Sequence, residues 1–488
     1  MNSHNPIRLT VALLTFNRQA YLRETVEAIL AQTYRDFEFL ILDNGSTDGT
    51  AQYVISQTDP RIRYVRNQPG SSIEFNSVSA YHVARGERVI VTHDDDIMEP
   101  VMLHQQMDYL DAHPEARLVW THIRTIDQHG RFISPNTEVL PDRTFAVGEY
   151  IANFLTERRW PMPSGVMLDR RLVAERLANL HYFRTTKIRI KATSIQLAGI
   201  EDIRIPAKVN TRYAIGFIGT PLLRYRVHAT QGTHAVDLSK PSIYLYKLLS
   251  RMSRQIPGRP IPEINFKAHI LKHQTQHDLT MIESAHIPRR IGQRLADYWQ
   301  RLTDAPTLTP DALLAAIPIA IAAHYLGIFP ETPPQVRALM APDSHTTAIR
   351  HFYVWARRLH PGFSIFSGIP KNRRIVIFGS ALVSALLILD AKRSGHHILA
   401  CIDSNHYRQG RQMFGIPIHP PAWLTDHGNE TDFVVFSSEK DQETYLAKLI
   451  AELTPTPVQL RSWKELLQAN VVQTAPSRAN SNTLELAS

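Results

Sequence analysis

The chain has 488 residues, with 54 Lys and Arg against 45 Asp and Glu, for a net charge of +9. That length exceeds what one hydrophobic core organises and points to about three domains; 43% hydrophobic and 20% charged residues exclude wholesale disorder. A lone Cys401 excludes an internal disulfide and fits a reducing compartment, so a cytoplasmic location is expected, and the positive charge favours anions without choosing among nucleotide phosphates, acidic lipid head groups and nucleic acid.

The opening Met1-Asn2-Ser3-His4-Asn5-Pro6 leads directly into a strand-like run, and no export signal is expected from it. From there the apolar pattern predicts strands over 9–14, 37–42, 62–65, 88–91 and 118–120. They alternate with helices over 21–31, after Thr47, near 73–84 and over 101–111. This order predicts an open, mostly parallel α/β sheet. On the first helix Leu22, Val26, Ile29 and Leu30 share one face, which should pack on the sheet. Ligands of such sheets gather at the carboxyl ends of the strands, and three of those ends are polar here. They are Thr15-Phe16-Asn17-Arg18, Asp43-Asn44-Gly45-Ser46-Thr47-Asp48-Gly49 and Asp94-Asp95-Asp96.

The predicted domains are residues 1–235, a helical domain over 236–368, a Rossmann-like α/β domain over 369–472 and a disordered tail over 473–488. Within the helical domain the apolar run 312–329 is interrupted by Pro318 and Gly327 and contains His324. It is short for a membrane span and reads as a buried helical hairpin. In the last domain, strands over 374–378, 397–402 and 433–437 alternate with helices over 382–393 and near 444–453. Gly379, Ala381 and Ser384 occupy the positions of a dinucleotide-binding Gly-x-Gly-x-x-Gly, with Asp403 following. Only one glycine remains, and Ala381 opposes close approach of a pyrophosphate.

Three adjacent carboxylates repel one another unless a cation or solvent offsets the charge. Mg²⁺ or Mn²⁺ would do so, and Mg²⁺ fills its remaining positions with water and substrate phosphates. A solvated turn capping the next helix is the alternative. Asp43 ends a strand, where it is placed to accept from a ligand N–H such as that of a pyrimidine or to order its own turn. Asp48 is available to cap the helix that follows.

The run Thr10-Val11-Ala12-Leu13-Leu14-Thr15-Phe16-Asn17-Arg18, with Leu22-Arg23-Glu24-Thr25-Val26 and the turn from Asp43 to Thr50, resembles the opening of family 2 glycosyltransferases. Asn76, Gly86 and Asp94-Asp95-Asp96 with Pro100 resemble that family's path into its DxD motif. Gly199-Ile200-Glu201-Asp202 and the strand ending Tyr225-Arg226-Val227-His228 are similar to its acidic motif and its closing strand. The resemblance covers the first half of the chain. It implies a GT-A type open mixed sheet and an inverting, metal-dependent transferase moving a sugar from a nucleoside-diphosphate sugar, with a UDP-sugar the expected donor. It further implies a hydroxyl acceptor in a glycan, a lipid-linked glycan or a protein. By that resemblance Asp202 is the catalytic base. Thr15, Asn17, Arg18, Asp43, Asn76, Asp94 and Asp95 bind the nucleotide sugar, and Asp94, Asp96 and His228 hold Mn²⁺ or Mg²⁺. Many relatives read Asp-x-Asp-Asp, and His93 stands at the first acid's place.

The competing reading is a catalytically silent nucleotide-binding scaffold, which the intact acids oppose. Nucleotidyl transfer lacks a glycine-rich triphosphate loop, and scattered basic residues with no reading motif argue against nucleic acid as a partner. The charge is compatible with peripheral contact at the inner face of a membrane. Neither the segment from Trp160 to Gly165 nor the helical domain contains a legible acceptor code.

Overall fold

Strand β1 (Leu9–Thr15) is buried along its whole length, and its side chains divide by parity between two cores. Ala12 and Leu14 face one, with Leu40 and Leu42 of β2 (Glu38–Asp43); Leu9, Val11 and Leu13 face the other, with Phe39 and Ile41. A strand covered on both faces reads as a continuous apolar run, which is why these segments are visible in the sequence. Helix α1 (Gln19–Leu30) lays Leu22, Val26 and Ile29 into the second core, with Leu30 at its margin.

The structure is a computed structural model that describes residues 6–67, 73–133, 138–157, 160–173, 201–228, 231, 237–258, 261–304, 309–328, 347–439, 443–454 and 457–472. The chain divides into two compact units, Met1–Gln274 and Thr275–Ser488.

In the first unit α2 (Thr50–Ile55), β3 (Ile62–Arg66), α3 (Ile73–Val83), β4 (Arg88–His93), β5 (Ile97–Met98), α4 (Met102–Ala112) and β6 (Ala116–Ile126) follow in order. Then come β7 (Arg143–Phe145), α5 (Glu149–Glu157), β8 (Val166–Asp169), α6 (Glu201–Asn210) and β9 (Ala214–Arg226), with α7 (Ser239–Ser253) and the larger part of α8 (Glu263–Thr280) after them. A nine-stranded sheet has the order β3-β2-β1-β4-β8-β6-β9-β5, with β7 beside β9. Strands β1 to β4 pair in parallel, whereas β8 runs antiparallel to both β4 and β6, and β6 is parallel to β9. The sheet is therefore mixed, and the carboxyl ends of β1, β2, β4, β6 and β9 share one edge. The registers Thr15↔Asp43, Leu14↔His93 and Ile126↔Arg226 align those ends. Gly86 leads into β4 against the β1 backbone, where a Cβ would lie 2.4 Å from Thr10 N, and only hydrogen fits there.

The second unit carries α9 (Arg289–Thr303), α10 (Pro310–Tyr325) and α11 (Thr347–Arg357), then β10 (Arg374–Phe378), α12 (Leu382–Ser394) and β11 (His397–Ile402). Strands β12 (Gln412–Met413), β13 (Ile416–His419), β14 (Phe433–Phe436) and β15 (Gln459–Ser462) complete a six-stranded sheet of order β12-β13-β11-β10-β14-β15. The helical hairpin expected of the 312–329 run does not form within the described residues. One helix continues through Pro318, and the chain turns only at Gly327, φ +74°. Ala315, Ala316, Ile317, Ile319, Ala320 and Ile321 are all buried around Pro318. That packing offsets the backbone hydrogen bond a proline forfeits. Among the described residues no helix is long and apolar enough to cross a membrane.

Candidate functional site

The three polar strand ends meet at the shared sheet edge. At the end of β1, Asn17 adopts φ +51° and ties the β1 end to the turn after β2: its backbone N–H donates to Ser46 Oγ at 2.9 Å, and its Oδ1 accepts from Thr47 N at 2.7 Å. Asp48 accepts from Thr50 N and Gln19 N, the first amides of α2 and α1, while Gly49 rather than Asp48 holds the N-cap position of α2. Asp43 is fully buried. Its Oδ1 takes Ser46 N at 2.8 Å and its Oδ2 takes the Tyr64 hydroxyl at 2.6 Å, with Arg66 Nε 3.7 Å away. Each carboxylate oxygen keeps a second acceptor position. Asn76, on α3, accepts from Asn67 Nδ2 beside this turn.

The acid triplet follows β4, and its three carboxylates point to three different sets of partners. Asp94 turns back to β1, accepting from Thr15 Oγ1 (2.8 Å) and Phe16 N (3.2 Å), with Arg18 Nη1 at 3.3 Å. Asp95 Oδ2 lies 2.7 Å from Arg18 Nη1 and 3.0 Å from His228 Nε2. Asp96 turns to the other side, where its oxygens take Ser164 Oγ at 2.6 Å and Arg226 N at 3.1 Å. Thr25 Oγ1, on α1, supports the loop from below by donating to the carbonyls of Asp94 and Asp96. Burial and the charge of Asp95 push the Asp94 carboxyl up to about 6. Burial acts on Asp95 in the same sense, but the His228 bond, His93 and Arg18 hold it below its usual range. Asp95, the acid facing His228, is thus the one of the three that ionises most readily.

The family resemblance implies Asp94 and Asp96 as the metal pair with His228; in the structure the acid brought to His228 is Asp95. A carboxylate oxygen beside an imidazole suits Mn²⁺ better than Mg²⁺, which takes oxygen ligands alone; for either ion one or two protein acids are enough when substrate oxygens complete the shell. The residues present fit such an ion on that basis. Among the described residues no group of three or more His, Cys, Asp and Glu is placed to hold a metal by itself.

Arg226 is the residue that sequence reasoning passed over. It is 1% exposed; its Nε donates to Asp95 O (2.9 Å), Nη1 reaches the carbonyls of Asp127 and Gln128 (3.4 and 3.3 Å), and Nη2 meets Glu24 Oε2 (2.6 Å). The Tyr21 ring lies 4.9 Å from its guanidinium carbon and 5.0 Å from the His228 ring. Its only signal in the sequence is its place two residues before His228.

Asp202 is the second residue of α6, where the helix N-terminus favours a carboxylate. Its Oδ2 accepts from Trp160 Nε1 at 3.3 Å. Its charge also reaches the rest of the site: the Tyr225 hydroxyl is raised first by burial, then by Asp96, Asp95 and Asp202. Gly199 and Ile200 lie outside the described residues.

Residues 10–173 match the family model for Glycosyl transferase family 2. This segment is a family 2 glycosyltransferase domain. It is 28% identical over 129 residues to an uncharacterized glycosyltransferase of Methanocaldococcus jannaschii, covering 26% of this chain and 44% of that protein. It is 32% identical over 111 residues to glycosyltransferase GlyG of Streptococcus pneumoniae serotype 4, covering 21% of this chain and 36% of that protein. The glycosyltransferase match thus spans less than half the length of either relative. S. aureus TarS 1–349 in complex with UDP-GlcNAc aligns with a TM-score of 0.43 at 15% identity, over 65% of this chain and 86% of that one. Asp202, Arg226 and His228 lie beyond the matched glycosyltransferase segment.

Proposed function

We propose that the first unit transfers a sugar from a nucleoside-diphosphate sugar, with a UDP-sugar the first candidate, to an acceptor hydroxyl with inversion at the anomeric carbon. The observation that carries this reading is the meeting of Arg18, Asp95 and His228 at the shared strand edge, with Asp202 joined to the acid loop through Trp160 and Ser164. Asp43, ordered by Ser46 and Tyr64, would take an N–H of the base, and Thr15, Asn17, Asn76 and Asp94 would shape the donor pocket. Asp95 and His228 would hold a divalent cation, which when bound neutralises charge on the departing diphosphate. Arg18 is positioned to add to that neutralisation, an interaction worth more in the transition state than in the ground state. Asp202 accepts the acceptor hydroxyl's proton; the freed oxygen forms its bond to the anomeric carbon while the bond to the diphosphate oxygen breaks and its electron pair leaves with the nucleotide. One displacement inverts the centre.

Incubation of the protein with a panel of nucleotide sugars and Mn²⁺ tests this by release of nucleoside diphosphate. Asp95→Asn should lower release by about a hundredfold, on the scale of losing one electrostatic stabiliser. Asp202→Asn should bind donor with unchanged affinity yet fail to transfer. Nucleotide binding without release from any donor would favour the silent scaffold instead.

A further inference from the structure

Residues 160–165 run as one loop between the two sides of the crevice. At one end the Trp160 indole N–H donates to Asp202 Oδ2 at 3.3 Å; at the other, buried Ser164 donates to Asp96 Oδ2 at 2.6 Å and accepts from His93 N at 3.2 Å. Four residues of chain reach at most about 14 Å, so the acid loop and Asp202 border one space. Trp160 is nevertheless 44% exposed, its ring steadied by an edge-to-face contact with Phe154 at 6.0 Å. A large indole is thus fixed at its polar end on an acid while much of its apolar surface stays open beside that acid.

Any hydroxyl that gives its proton to Asp202 must come within hydrogen-bond reach of it, and hence close to the indole. A pyranose ring meets both demands, because it carries hydroxyls around its rim and an apolar C–H face that covers an aromatic ring. A serine or threonine side chain offers the hydroxyl without the face. Resting on the transferase reading above, we propose that Trp160 is the platform on which an acceptor sugar ring stacks, so that the acceptor is the sugar of a glycan or glycolipid.

Saturation-transfer NMR in the presence of UDP and Mn²⁺ tests this with methyl glucoside, galactoside, mannoside and N-acetylglucosaminide, octyl glucoside and a serine peptide. At least one glycoside should receive saturation on its ring C–H protons and the peptide none. Affinity should fall about tenfold in Trp160→Ala and less than about threefold in Trp160→Phe, which keeps a ring without the indole N–H. Stronger binding of the octyl than of the methyl glucoside assigns the sugar to a lipid-linked acceptor, and equal binding to a free glycan end. No signal from any glycoside, preference for the peptide, or equal affinity in Trp160→Ala would overturn the proposal. UDP affinity measured by calorimetry on the same preparations reports that each variant is folded. A wild-type protein that binds no nucleoside diphosphate removes the transferase reading itself; intact UDP binding without glycoside binding removes only the platform.

Discussion

Replacing Arg226 separates a charge from the geometry of its fork. The guanidinium is buried and holds three main-chain carbonyls and Glu24. Glu24 is half exposed, so it returns to water at little cost once unpaired. The bonds to Asp127 and Gln128, at 3.4 and 3.3 Å, are weak by length, so the bond to Asp95 O at 2.9 Å carries most of the loss. Arg226→Lys keeps the charge and one bond and should cost roughly 2 kcal/mol. Arg226→Met leaves buried carbonyls without donors and should cost about 3–5 kcal/mol. For a unit of this size about 2 °C of melting temperature is lost per kcal/mol, so the methionine variant should melt some 6–10 °C lower. Scanning calorimetry reads this, with the transition of the first unit identified by its upward shift when UDP and Mn²⁺ are added. Because Arg226 holds the backbone of Asp95, UDP affinity in the lysine variant should also fall by about tenfold. An unshifted transition in Arg226→Met, or a lysine variant that melts lower yet binds UDP as tightly as wild type, would refute the reasoning.

Thr25→Val removes one hydroxyl that serves two buried carbonyls while keeping the side chain's shape, and should lower stability by about 1–2 kcal/mol; the urea midpoint of the first unit measures it. In the second unit Asp390 accepts from Ser364 Oγ and Ile365 N, and burial pushes its carboxyl from 3.8 up to about 6. The folded state therefore holds this proton more tightly than the unfolded one, so Asp390 makes stability fall as pH rises from about 4 through 6, by roughly 3 kcal/mol in all. Asp390→Asn should flatten that slope in urea titrations at successive pH values, and an unchanged slope would show that other groups set it.

Elements buried on both faces were legible from their apolar runs, as β1, β2, β4 and the inward face of α1 show. Strands β5, β7 and β8, of two, three and four residues, carry too little pattern to be read. They make the sheet mixed, and β8 inserts between β4 and β6. The expected 118–120 strand extends to Ala116–Ile126 because its second half is only partly covered and carries His122 and Arg124, which interrupt the apolar signal. The acids at the strand ends were visible as residue types in turn-like contexts. Which of three neighbours meets His228 was not, because that choice depends on Ser164 and Arg226, far along the chain, capturing Asp96 and leaving Asp95 to the histidine. Trp160 and Asp202 likewise meet across a sequence separation that periodicity does not register.

Strand β9 crosses the sheet beside β6 and delivers Arg226 and His228 to a loop synthesised some 130 residues earlier. Until that strand docks, the acid loop lacks its guanidinium brace and its imidazole, and β6 keeps an open flank of unpaired backbone groups. A fragment cut back to residues 10–173 would span the matched family segment and still lack Asp202, Arg226 and His228. On the ribosome, too, competence would come late, as a non-local closure that sets in only after the sheet's last long strand has emerged.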